Sequence, residues 1–194
     1  MSANKNPTAF MRGSVNYKQL LLTSFVFILL LSLLLFLFLP SHHYIYEESN
    51  GTTVYNEGYD INDINKLIKD YNLTGLTSIH FVQDIPKELN IKVTGTYIYY
   101  FNRKEIWMET LNIYSFTHEY CHLILDTKIN KSILKEYKKL YKNTTSFITQ
   151  YANYSNDYQE DLCENYKFYI NNETWNLQPD RVDFFNKYKE VFRK

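Results

Sequence analysis

Apolar residues run almost unbroken from Leu20 to Leu39, with Thr23, Ser24 and Ser32 as the polar interruptions and Pro40 closing the run. About 20 such residues cross the hydrocarbon core of a bilayer as a helix. A cleavable signal peptide would have a shorter apolar stretch followed by small residues, whereas Phe36-Leu37-Phe38-Leu39-Pro40-Ser41-His42-His43 follows here, so an uncleaved signal anchor is expected. Beyond it the pattern changes. Ser41 to Val54 reads as a short stalk, and Ile61, Ile64, Leu67 and Ile68 then recur at helical spacing behind Asp60, a candidate N-cap, predicting a helix over 60–71. Ser78–Val82, Gly95–Phe101 and Glu105–Met108 read as strands, the last two about a turn at Asn102-Arg103-Lys104, with Pro86 in a connection. The stretch from Tyr114 to Leu125 is apolar at Tyr114, Phe116, Leu123 and Leu125 and free of Pro and Gly, as a buried helix requires. Strands followed by helices give the class α+β.

Charge orients the anchor. Lys5, Arg12 and Lys18 precede the apolar run, Glu47 and Glu48 follow it, and no Lys or Arg occurs after it until Lys66. The basic side stays cytoplasmic. The expected organisation is a cytoplasmic tail (1–18), a single-pass type II membrane anchor (19–40), a stalk (41–54) and an extracellular or lumenal domain (55–194). Sequons at Asn50, Asn72, Asn130, Asn143, Asn153 and Asn172 all fall beyond the anchor and are glycosylation candidates. The balance of 21 basic and 21 acidic residues leaves no basic footprint, so nucleic acid is not an expected partner. The 19 Tyr and 13 Phe accompany many Asn, Ile and Lys, all residues with AT-rich codons, so base composition explains them better than a carbohydrate-binding surface does.

The stretch around which the domain is organised is His118-Glu119-Tyr120-Cys121-His122, an H-E-x-x-H. On a helix the two histidines share a face and can bind one zinc ion through neutral imidazole nitrogens, while Glu119 projects toward metal-bound water. Zinc lowers the pKa of that water to about 7, and an adjacent carboxylate can take its proton as it attacks a carbonyl. A protein or peptide substrate is the usual one. No histidine follows His122, so a third histidine ligand downstream is excluded and a carboxylate must serve. A helix capped by Ser155 or Asn156 would put Glu160 and Glu164 on one face, one to bind zinc and the other to orient a ligand. His80 reads as a packed or surface histidine, and His42 and His43, beside Tyr44 and Tyr46, as interfacial side chains.

The H-E-x-x-H-x-x-x-D from His118 to Asp126, the Tyr151-Ala152 pair and the E-D-x-x-E from Glu160 to Glu164 together resemble the anthrax lethal factor and Pro-Pro endopeptidase family of gluzincin zinc peptidases. The resemblance covers residues 75–194, including a closing amphipathic helix after Pro179 in which Phe184, Phe185, Tyr188 and Phe192 can pack. It implies a small zincin-like domain in which His118, His122 and Glu160 hold zinc, Glu119 is the base, and Tyr151 gives a hydrogen bond to the oxyanion. It further implies that Glu164 fixes a zinc histidine from behind and that Asp126 braces the zinc helix. Two features depart from the family. The spacing from Tyr-Ala to the first glutamate is about two residues longer, which admits Tyr154 or Tyr158 in place of Tyr151. Cys121 and Cys163 stand where the family has Gly and Ala; as the sole cysteines of an extracytoplasmic domain, on two helices that must approach to share an ion, they are expected to form a disulfide.

The function expected is thus a membrane-anchored zinc endopeptidase. Its rival is a non-catalytic type II surface glycoprotein that keeps the fold for partner binding. Retention of His118, Glu119, His122 and Glu160 favours the enzyme. Zinc proteases often take extended substrate by adding it to an edge strand, and Glu105–Met108 is the candidate for that edge.

Overall fold

Val54, Ile79, Phe81, Ile106 and Met108 are all fully buried and alternate with partly exposed neighbours along short strands. This period of two makes one face of a sheet apolar. In the computed structural model, which describes residues 44–47, 51–85 and 94–193, that sheet has five strands, β1 (Tyr44–Glu47), β2 (Thr53–Asn56), β3 (Ser78–Phe81), β4 (Gly95–Tyr100) and β5 (Arg103–Met108). Their spatial order is β1-β2-β3-β5-β4. β2, β3 and β5 run parallel, while β1 and β4 are antiparallel edges. The mixed α+β class read from the sequence holds. Leu20–Leu39, His42, His43, Asn50 and Pro86 lie outside the described residues, and among the described residues no helix is long and apolar enough to cross a membrane.

Three expectations need correction. Within the expected stalk, Tyr44–Glu47 pairs with Thr53–Asn56 as a hairpin and joins the sheet. Glu105–Met108 is not an edge, because the β4–β5 hairpin folds β4 onto its outer side and leaves β5 between β3 and β4. The hairpin also turns earlier than expected, at Phe101 and Asn102, with φ of 45° and 66°. Left-handed values at both central residues suit the twist of a two-residue hairpin, but an aromatic residue rarely adopts them, which is why Phe101 reads as strand.

The helices lie against the apolar face of the sheet. α1 (Ile61–Ile68) is capped by the Asp60 carboxylate, which accepts from the Asn62 amide, and buries Ile64, Leu67 and Ile68. It ends before the predicted residue 71, where Tyr71 leaves the helix to pack edge-on against Phe116 and Tyr120. α2 (Ile113–Thr127) begins at the Asn112 cap and carries the H-E-x-x-H. α3 (Lys131–Lys142) follows, then α4 (Gln150–Ser155), α5 (Tyr158–Ile170), a short 3-10 turn at Thr174–Asn176, and α6 (Pro179–Lys187). The closing helix ends at Lys187, short of the expected span, yet the four aromatics still pack: Phe184 and Phe185 from the helix and Phe192 from the turn beyond it are buried, with Tyr188 partly buried against the core.

His80 sits on the opposite face of the sheet, stacked between Tyr55 and Trp107 with ring centroids 4.4 and 3.8 Å away. Its Nε2 lies 2.8 Å from Ser78 Oγ. Burial between the two rings lowers its pKa from 6.5 to about 4. The unfolded chain therefore takes up this proton at a higher pH than the folded one, so the contribution of His80 to stability is complete above pH 6.5 and is lost as the pH falls toward 4. His80→Phe keeps a ring in the stack and removes the titration. Chemical denaturation of both proteins across this range should show the wild type losing more stability on acidification than the variant. Parallel curves would refute the assignment.

Candidate metal centre

α2 and α5 cross under the β4 edge, and the crossing gathers the ionisable residues. The polar side chains of α2 that would be costly to bury alone are buried together: His118 is 6 % and Glu119 8 % exposed. Asp157 starts α5 by accepting from the Gln159 amide, whereas Asn156, in the left-handed conformation, ends α4; the cap lies one residue beyond the expected Ser155 or Asn156. From that start Glu160 and Glu164, one turn apart, both face α2.

Glu160 Oε2 is 3.0 Å from His118 Nε2, Glu160 Oε1 is 3.4 Å from His122 Nε2, and the two Nε2 atoms are 3.2 Å apart. The three residues offer ligand atoms that all lie within 4.8 Å of one another. Nitrogen and oxygen ligands at about 2.0–2.2 Å from a tetrahedral ion are separated by roughly 3.3 Å, so the spacing fits a metal with these three ligands. The donor set points the same way. His118 Nε2 is within reach of both Glu160 and His122 Nε2, and a single ring proton cannot serve both, whereas one cation can satisfy all three groups.

Glu164 takes a different place. Its Oε1 lies 2.8 Å from His118 Nδ1, behind the ring, and is also held by Lys167 Nζ at 2.7 Å. A carboxylate at Nδ1 fixes the tautomer that leaves Nε2 free as a ligand. Burial pushes the Glu164 carboxyl up, but hydrogen bonds from His118 and Lys167 outweigh it and hold the pKa down at about 2. Glu160 is held well below the usual carboxylate range against the same opposing burial, through His118 and His122. Burial alone would lower the pKa of His118, but Glu160 and Glu164 raise it to about 10, so a metal binding there would have to displace a proton.

Glu119 lies beside the cluster under β4. Burial raises its pKa, opposed by His118, His122 and the Tyr97 backbone amide, which donates to its carboxylate. Gly95 makes this approach feasible. A Cβ built there would meet Met108 Sδ at 2.9 Å and Glu119 Cγ at 3.3 Å. Glycine within a strand marks such a close contact, and this is the signal the sequence carries for it.

Of the three candidate tyrosines, Tyr151 is the one at the site. Its ring meets His118 edge-on at 5.7 Å, and burial followed by Glu160 raises the pKa of its phenol. Tyr154 is 79 % exposed, and Tyr158 packs beneath Lys138, whose Nζ is 4.6 Å from the ring centroid. Asp126 stands away from the ligands; its Oδ2 accepts from Tyr97 Oη at 3.0 Å and pairs with Lys104 Nζ at 2.9 Å, bracing α2 against the β4–β5 hairpin. Tyr97 in turn lies nearly parallel to the His122 ring, 6.3 Å away. The exposed Asn72, Asn130, Asn143, Asn153 and Asn172 all sit at the surface.

The expected disulfide is not formed. Cys121 and Cys163 are free thiols, fully buried at the α2–α5 crossing and in hydrogen-bond contact with each other. Burial pushes the Cys163 thiol far up, and a thiol kept protonated and out of reach of solvent is a poor entrant into disulfide exchange. The pair fills the crossing as small apolar residues do.

Two lobes flank the cluster. One, of about 290 Å³, is bounded by Thr96, Tyr97, His122 and Gln159. The other, of about 360 Å³, is bounded by Thr94, Ser115, Glu164 and Lys167, and Gly95, His118, Glu119 and Tyr151 lie between the two. Nothing in the sequence marked Thr94, Ser115 or Lys167. Comparison of the chain with protein-family models, curated proteins and solved structures gave no match.

Proposed function

We propose that the protein is a membrane-anchored zinc endopeptidase with a zincin-like domain, in which His118, His122 and Glu160 hold one zinc ion. The observation that carries this is the convergence of two imidazole nitrogens and a carboxylate at tetrahedral spacing, with Glu119 beside them and Glu164 behind His118. A site built only for ion pairing would not need a second buried carboxylate reserved for the far side of the histidine. The resemblance to the lethal factor and Pro-Pro endopeptidase family supports the same reading.

Zinc bound there supplies Lewis acidity to a water and to a carbonyl. The remaining work belongs to the chain. Glu119, its pKa raised by burial, takes the proton of the attacking water and returns it to the leaving amine. Tyr151, kept protonated, donates a hydrogen bond to the carbonyl oxygen as charge develops on it. The β4 edge offers backbone groups to an extended peptide, and Glu119 lies directly beneath it. In the same proposal the run from Leu20 to Leu39 anchors the chain and leaves the domain, with its sequons, on the extracellular or lumenal side.

The test is metal analysis of the full chain together with cleavage of a peptide library before and after removal of the metal by a chelator. One zinc per chain and chelator-sensitive cleavage are expected. Stoichiometric zinc without cleavage of any peptide would leave the non-catalytic surface glycoprotein as the better reading.

A further inference from the structure

The lobe beyond Gly95 has chemistry of its own. A peptide added antiparallel to β4, the more stable pairing, runs with its N-terminal part toward Tyr99 and its C-terminal part past Gly95 toward Thr94, Ser115 and Lys167. That lobe therefore receives the residues after the scissile bond. Beside the Glu119 and Glu164 carboxylates and the Tyr151 ring, it holds two hydroxyls, Thr94 Oγ1 and Ser115 Oγ, 3.3 Å apart, and one ammonium, with no aliphatic or phenylalanine side chain among the described residues that bound it. An apolar side chain entering it would gain little burial and would displace water from polar groups.

Lys167 is held at the back of this lobe, not out in solvent. Its side chain is 16 % exposed, and its contact with Glu164 uses one of three ammonium donors, leaving two beyond that ion pair. Lys167 removes the net charge that would otherwise repel an anion there. With neutral histidines and all three of Glu119, Glu160 and Glu164 ionised, a zinc dication and Lys167 bring the site to neutrality, whereas without Lys167 the site is negative and repels a carboxylate.

We infer that Lys167, with Ser115 and Thr94, forms a subsite for a carboxylate on the leaving-group side of the cut. The inference rests on the zinc reading above. The carboxylate comes either from an Asp or Glu side chain just after the scissile bond or from a free C terminus one or two residues beyond it. Lys167 is a specificity residue here and takes no part in the proton transfers.

The experiment uses the zinc-loaded full chain and two hydroxamate ligands identical except that the group aimed at this lobe is a carboxylate in one and its carboxamide in the other. Calorimetric binding should favour the carboxylate by about tenfold in the wild type and in Lys167→Arg. The preference should vanish in Lys167→Met and reverse in Lys167→Glu, with zinc stoichiometry measured in each variant to verify that the site is formed. Because this reads binding, it works even if no peptide is cleaved. Equal affinities in the wild type, or a preference untouched in Lys167→Met, overturn the subsite while leaving the zinc reading intact. A chain that binds neither zinc nor hydroxamate overturns both. Cleavage of peptides with free and amidated C termini then separates the two sources: loss on amidation assigns the terminal carboxylate, and retained cleavage before Asp or Glu assigns the side chain. Indifference to both overturns the inference.

Discussion

Glu119→Gln is expected to retain one zinc per chain and to lower peptide cleavage by about 10² to 10⁴-fold, the range that a general acid–base residue contributes. Glutamine keeps the volume under Gly95, where a larger or displaced side chain would meet the β4 backbone, so the site should not collapse. It also keeps an oxygen for the Tyr97 amide that now donates to the carboxylate. What it loses is the capacity to take a proton. The reduction should therefore appear in kcat with little change in KM, since Glu119 contributes to the transition state and not to ground-state binding. A variant that cleaves as fast as the wild type would remove Glu119 from the mechanism, and a variant that loses zinc would mean that Glu119 helps to hold the metal.

The sequence exposed the candidate metal site more fully than the fold around it, for a physical reason. A helical H-E-x-x-H fixes three side chains by local geometry alone, and the i, i+4 spacing of Glu160 and Glu164 does the same for the second helix, so only the crossing of α2 and α5 had to be supplied by the fold. Strand order is not local. Glu105–Met108 was correctly read as a strand, but whether it ends up at the edge or inside depends on which side the β4 hairpin folds, and nothing in its alternation records that. The hairpin of Tyr44–Glu47 with Thr53–Asn56 is not legible in the sequence because two four-residue strands next to an apolar run give too short a pattern to separate from a linker.

The cysteines show a different limit. Their placement on two helices that cross was legible, and the crossing is as close as the small residues implied. Whether they are bonded depends on geometry and thiol chemistry in a fully buried site, and spacing carries neither. Lys167 was invisible for the opposite reason: one lysine among 21 basic residues on a helix reads as a solvated charge until the fold turns it into the cleft beside Glu164.

The second large effect separates the two glutamates of α5. Glu160→Ala is expected to weaken zinc binding by far more than Glu164→Ala, for which about 10 to 100-fold is expected, as for other residues that support a ligand from behind. Glu160 presents both oxygens to the two Nε2 atoms, at 3.0 and 3.4 Å, so its loss leaves only two ligands from the chain. Glu164 touches His118 only at Nδ1, and its loss leaves all three ligand atoms in place but frees the ring to adopt the other tautomer or to rotate. Removing Glu164 also leaves Lys167 without its partner next to the metal, adding cationic repulsion to the loss of orientation. Competition with a chromophoric chelator gives the affinity of each variant directly. If Glu164→Ala loses more affinity than Glu160→Ala, the roles are exchanged, and zinc sits on the Nδ1 side of His118.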